Sequence, residues 1–180
     1  MYTICFTGHR PNKLGGYDWN TPVNQRIIQR LREVILEAIV ANKDEGTIQF
    51  IFGGALGVDQ MAFEVVQGLK INEASSIEII SMLAMPFEKQ ADAWFSSRDK
   101  ERLKHQRKVA DEVVMVDTLP GYTNPCVAIG EYHVAKMDAR NRYMVDKSDM
   151  VIAVWDGSAG GTANCVNYAS RKHKPIRTIF

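Results

Sequence analysis

Two hydrophobic patterns alternate along the chain. Short apolar runs occur at Tyr2–Thr7, Thr47–Phe52, Ile77–Ala84, Glu112–Asp117, Asp149–Trp155 and Pro175–Phe180. The densest, Met150-Val151-Ile152-Ala153-Val154-Trp155, shows no apolar–polar alternation. Such runs predict strands covered on both faces, as in a parallel sheet. Between them lie segments with helical spacing. In Thr21–Ala41, Val23, Ile27, Leu31, Val34, Ile35 and Ala38 form one apolar stripe, Thr21 suits the cap and Pro22 the first turn. Arg26, Arg30 and Arg32 fall on the opposite, solvated face. Helices are also predicted over Gln60–Leu69, Glu88–Lys108, Val127–Lys147 and Thr162–Lys172. No internal repeat or linker interrupts the series. The order predicts an α/β fold: one domain over residues 1–180, with a doubly wound, mostly parallel sheet, right-handed crossovers and helices on both faces.

The junctions where strands give way to helices carry the candidate chemistry. Two are glycine-rich. Gly53-Gly54-Ala55-Leu56-Gly57-Val58-Asp59 follows the second strand, and Asp156-Gly157-Ser158-Ala159-Gly160-Gly161-Thr162 follows the fifth. Glycine lets a backbone approach a ligand, and the free N–H groups and dipole of a helix N-terminus favour an anion. Either turn alone is equally a tight connection without a ligand; two of them strengthen the phosphate-binding reading. Ligands of open α/β sheets sit outside the carboxyl ends of strands. That rule brings in Thr7, Gly8, His9 and Arg10 at the first strand tip, followed by the loop Asn12–Asn20 with Tyr17 and Trp19. Asp59 suits either a sugar hydroxyl or the first turn of its own helix. Pro86 and Glu88 end the third strand, Glu88 being the acid at that tip. The segment Glu88–Lys108 holds seven Lys and Arg against four Asp and Glu. It reads as a solvated helix with Trp94 and Phe95 packed inward, or as a lid over an anionic ligand. Arg140 and Arg142, near the end of a predicted helix, suit either phosphate contact or the negative end of the helix dipole.

Composition narrows the classes. With 180 residues, 46% hydrophobic and 24% charged, the chain can bury one well-formed core. A net charge of +1 gives no global argument for nucleic acid or an anionic membrane. The N-terminus has no basic region leading into an apolar one, and no apolar run has membrane-spanning length, so a cytoplasmic protein without a membrane partner is expected. The three cysteines, Cys5, Cys126 and Cys165, have no metal-ligand spacing, and no metal is expected. Cys5 reads as core, and Cys165, lacking a nearby base in the sequence, as a buried inert thiol.

Taken together, the stretches TGHRP at Thr7–Pro11, GGALGVD at Gly53–Asp59, MPFE at Met85–Glu88 and RNRYMVDKSDMVIAVWDGSAGGT at Arg140–Thr162 resemble the SLOG superfamily, and within it the YpsA-like branch of small bacterial and phage-associated proteins. The superfamily includes DprA/Smf-like DNA-processing proteins and the LOG cytokinin-activating enzymes. The resemblance spans nearly the whole chain. It implies a Rossmann-like fold holding a nucleotide or nucleotide-like ligand above the sheet, of the AMP, ADP-ribose or NAD class. It also favours a ligand role for Arg140. LOG enzymes carry Arg-x-x-x-Met ahead of PGGxGTxxE. Arg140 and Met144 keep the first spacing and Gly161-Thr162 match the GT, but Ser158 and Ala159 replace the first glycines and Cys165 falls on the catalytic glutamate. A neutral thiol cannot stabilise an oxocarbenium-like centre as a carboxylate does.

The expected function is therefore binding of a nucleotide-derived ligand, as a sensor or regulator. Gly53, Gly54, Ala55, Gly57, Gly157, Ser158, Gly160, Gly161 and Thr162 would hold phosphate, Arg10 and Arg140 would neutralise it, and Asp59, Glu88 and Asp156 would read ribose or base. N-glycosidic cleavage, with Glu88, Arg140 and Asp156 as the catalytic candidates, is the alternative. Single-stranded DNA binding, as in DprA, is a third reading, against which the near-zero charge argues. Relatives of this fold often pair, which makes Val127–Lys147 a candidate interface; a monomer stays open.

Overall fold

The computed structural model describes residues 1–72 and 77–180. The strands are β1 (Tyr2–Gly8), β2 (Thr47–Phe52), β3 (Glu78–Met85), β4 (Glu112–Met115), β5 (Met150–Val154) and β6 (Ile176–Ile179). The helices are α1 (Pro22–Ala41), α2 (Val58–Asn72), α3 (Ser97–Val109), α4 (Val134–Lys147) and α5 (Gly161–Arg171). The strands form one six-stranded sheet in the order β4-β3-β2-β1-β5-β6, and every pairing is parallel. The expected mostly parallel sheet is thus parallel throughout, and doubly wound about β1.

Alternation along the strands divides the core. Ile4, Phe6, Ile48, Phe50, Phe52, Ile152 and Val154 face α1 and α2, where Leu31, Ile35, Phe63 and Val66 meet them. Cys5, Ile51, Met82, Ala84 and Val151 face the other way, against Tyr143, Met144 and Val145 of α4 and Cys165 and Ala169 of α5. α3 joins the α2 side, since Gln106 donates to Glu64 Oε1 at 2.7 Å. Both faces are therefore covered, which is why the strands read as unbroken apolar runs.

The pairing register positions the site. Thr7 pairs with Ala153 and Gly8 with Val154, so β1 and β5 end level. The chain leaves β1 toward β2 on one side and returns to β5 on the other. The carboxyl ends of β1 and β5 thus flank the topological switch point, where open α/β sheets place their ligands.

Four segments depart from expectation. The helix expected over Glu88–Lys108 is confined to Ser97–Val109, where the Ser96 hydroxyl accepts from Asp99 N; the chain before it forms turns. Phe95 is fully exposed there instead of packing inward, and Trp94 is half-buried. The helix expected over Val127–Lys147 starts at Val134, capped by His133, because Gly130 turns the preceding chain at φ 85°. Its N–H donates to Asp117 Oδ2 at 2.8 Å, and buried Lys136 reaches the same oxygen at 2.9 Å. β4 stops at Met115, and residues Val116–Thr118 form a 3-10 turn. Val23, assigned to the apolar stripe of α1, is 38% exposed.

Candidate functional site

A cleft of about 310 Å³ opens at the switch point. Its floor is the end of β1, with Thr7, Gly8 and His9; its sides come from the start of α2, from α4 and from the loop between β5 and α5. Arg10, Lys13 and Arg140 line it as cations, against the single acid Asp59.

The β5–α5 loop is held in shape from several directions. The Trp155 indole N–H donates to Ser158 O at 2.8 Å. Lys13 Nζ donates to Ser158 Oγ at 2.8 Å and Ala159 O at 3.0 Å. Asp156 Oδ1 accepts from Ser158 N at 2.9 Å and lies 2.7 Å from Nε2 of the buried His9 ring, which donates to it. Hydrogen bonds from Ser158, followed by that from His9, hold the Asp156 carboxyl well below the usual carboxylate range. The loop ends at Gly160, with φ 143°, which caps α5 without a side chain. The first N–H groups of a helix have no acceptor within it. Here no capping side chain serves them, and they face a cationic cleft at the positive end of the helix dipole.

Arg140 enters from α4 and is 5% exposed. Its Nη1 donates to Asp59 Oδ2 at 3.2 Å, and Asp59 Oδ2 also accepts from Ala55 N at 3.2 Å. Among the described residues, Arg140 Nε is a buried donor without a partner. Such a group is costly to leave unpaired. Arg10 is exposed at the mouth. Crowding by protein, followed by the like charge of Arg140, lowers its pKa, yet an arginine starts so high that it stays cationic.

Most of the residues singled out from the sequence converge here. Thr7, Gly8, His9, Arg10, Ala55, Asp59, Arg140, Ser158, Gly160, Gly161 and Thr162 line the cleft. Asp156 and Gly157 lie outside the lining, in the exposed loop, where Asp156 orders Ser158. Gly53, Gly54 and Gly57, in the motif after β2, are not in the lining, and each is closely packed. A Cβ on Gly53 would fall 1.4 Å from Arg140 Nη1, and one on Gly57 would fall 2.5 Å from His9 O. Gly54 sits against Met85 and Leu103 with φ 64°. Buried Pro86 is not in the lining. Glu88 is on another surface, paired with Arg107 at 2.7 Å, because the β3 tip lies two strands from the switch point. Cys165 is 1% exposed and burial pushes its thiol up to about 11, as an inert core residue requires. Lys13, Met137 and Asn141 line the cleft without having been singled out. Arg140 and Asn141 follow Met137 by three and four residues, a helical spacing available in the sequence.

A family model, YpsA, described as the YspA SLOG family, matches residues 4–179. The chain belongs to the YspA SLOG family. The SPbeta prophage-derived protein YoqJ of Bacillus subtilis (strain 168) is 39% identical over 152 residues, covering 84% of this chain and 85% of that one. A UPF0398 protein of Halalkalibacterium halodurans is 25% identical over 174 residues, covering 97% and 82%. Among solved structures, DNA processing protein A from Helicobacter pylori, described for its single-stranded DNA binding mode, aligns with a TM-score of 0.57 at 18% identity. That alignment covers 98% of this chain and 64% of the other, and shows a shared fold. For this SLOG chain, among the described residues, no helix is long and apolar enough to cross a membrane, and no group of three His, Cys, Asp or Glu side chains is placed to hold a metal.

Proposed function

We propose that the switch-point cleft binds a phosphate-bearing, nucleotide-like small molecule and that the protein acts as a sensor or regulator of it. The observation that carries this reading is Arg140 Nε, without a partner among the described residues and buried beside the uncapped start of α5. An anion seated there would accept from Arg140 and from the α5 N–H groups together. Lys13 and Arg10 add charge toward the mouth. The cleft volume is near the lower end of the ~300–1,000 Å³ typical of ligand pockets. It suits one phosphate with its sugar, as in AMP; ADP-ribose or NAD would extend past the mouth.

Binding is placed ahead of N-glycosidic cleavage. Cleavage needs a carboxylate free to face the anomeric centre. Asp59, the acid in the cleft, is engaged by Arg140 and Ala55 N, and Glu88 faces Arg107. Single-stranded DNA is the second reading, favoured by what is described for the Helicobacter pylori neighbour. The same anion seat would then take a backbone phosphate.

Native mass spectrometry of freshly purified protein should show a co-purified or added AMP-class ligand at one per chain. Calorimetric titration of AMP, ADP-ribose, NAD and an oligodeoxynucleotide ranks them. Arg140→Lys keeps a cation beside Asp59 but loses the guanidinium fork, and should weaken nucleotide binding about tenfold or more. If no nucleotide binds at millimolar concentration, the proposal fails. If the oligonucleotide alone binds, with steep salt dependence, the site passes to the DNA reading.

A further inference from the structure

A second hollow, also about 310 Å³, opens between α1 and the carboxyl end of β6. Its walls are mostly apolar, with Val23 and Ile27 of α1, Val154 of β5, and Ile179 and Phe180 beside the one hydroxyl residue, Thr178. Arg26 and Arg30 stand at its edge. Arg30 is paired with Glu33. Arg26 is exposed, and its side chain has no ion-pair or hydrogen-bond partner among the described residues. The hollow shares no lining residue with the anion cleft.

We propose that this hollow binds a small amphiphilic anion, an aliphatic or aryl carboxylate whose body fills the apolar walls and whose head meets Arg26. Apolar walls gain from taking such a body out of water, and a guanidinium matches a carboxylate with two parallel donors. At about 30 Å³ for each water-sized group, the space suits a body on the order of ten non-hydrogen atoms. Charge selects this occupant over a second copy of the chain. A two-fold contact through this face would gather the Arg26 side chains of both copies into one interface, and like charges there oppose association. The site also touches the cleft from behind. The Phe180 ring lies 6.0 Å from the His9 ring, and His9 holds Asp156 of the phosphate-side loop. Occupancy of the hollow is therefore read at His9, and the proposal stands independently of the nucleotide reading.

The test uses the full chain with octanoate and octylamine as probes. Octanoate should saturate at one per chain in calorimetry and move the His9 ring resonances, and octylamine should bind at least about tenfold more weakly. Arg26→Glu should lower octanoate affinity by about tenfold or more with an unchanged melting temperature, since the Arg26 side chain is exposed and unpaired among the described residues. Val23→Glu, at a partly exposed wall position, should do the same by setting a carboxylate against the ligand head. Absence of saturable octanoate binding at millimolar concentration overturns the proposal, as does equal binding of octylamine or indifference to both variants. A dimer in sedimentation whose formation excludes octanoate overturns it too, and gives the face to a second copy.

Discussion

Gly53 has no side chain where Arg140 must pass. A Cβ there would lie 1.4 Å from Arg140 Nη1 and 2.7 Å from Asp59 Oδ2. Gly53→Ala should therefore break the buried Arg140–Asp59 pair and lower stability by about 2–4 kcal/mol, measured by urea denaturation. A wild-type midpoint would show that Arg140 has another seat. The residue scale is also where sequence reading reached its limit. Arg10, Asp59, Arg140 and the Ser158–Thr162 turn were legible because each lies at a strand tip or one helix away from it. The roles of Gly53, Gly54 and Gly57 were not, because a glycine that makes room for a distant side chain looks the same in sequence as one that makes room for a phosphate. Lys13 likewise gains its meaning only when Ser158, far along the chain, folds over it.

Among the elements, the start of α1 does more than begin a helix. The Thr21 hydroxyl accepts from Asn24 N at 3.4 Å. The buried Asn24 side chain accepts from Gly15 N at 3.0 Å and donates to Gly16 O at 3.0 Å and Asp18 O at 2.7 Å. This clasp fixes the loop whose first residues carry Arg10 and Lys13. Asn24→Ala would remove three hydrogen bonds to the loop backbone, and should cost about 2–4 kcal/mol and expose the loop between β1 and α1 to limited proteolysis. An uncut loop would show that the clasp is dispensable. Strands were legible at this scale because burial on both faces leaves unbroken apolar runs. The starts of α3 and α4 were not. Residues 88–96 have helix-compatible composition, and the Ser96 cap decides where α3 begins. For α4, the decision lies in Asp117, whose buried carboxylate takes Gly130 N and Lys136 together. Neither partner is adjacent to it in sequence.

The whole molecule carries its pH response in a few acids. Partial burial alone would raise Asp111 and Asp146, but hydrogen bonds outweigh it and both end below the usual carboxylate value: from Lys70 and Ser81 to Asp111, and from Tyr122 and Tyr168 to Asp146. Asp156 is lowered further by Ser158 and His9. A carboxylate with a depressed folded pKa contributes stability above its unfolded value of about 4 and loses it as pH falls toward the folded value. The urea midpoint should therefore hold between neutrality and about pH 5 and decline below about pH 4. A midpoint unchanged into strong acid would count against these bonds.

The sheet order also imposes a sequence of events in time. β1, β2, β3 and β4 pair as successive neighbours, so they can assemble as the chain emerges during synthesis. The other edge of β1 waits for residues 150–154, nearly the length of the chain later. Until then Ile4, Cys5 and Phe6 offer an apolar, unpaired margin of the kind that recruits other chains. The cleft cannot exist in that interval, since His9 meets Asp156 only when β5 docks. A nascent or truncated chain ending before β5 thus has four of the six strands, an adhesive edge and no cleft, and the last sixth of the protein both completes the sheet and closes the cleft.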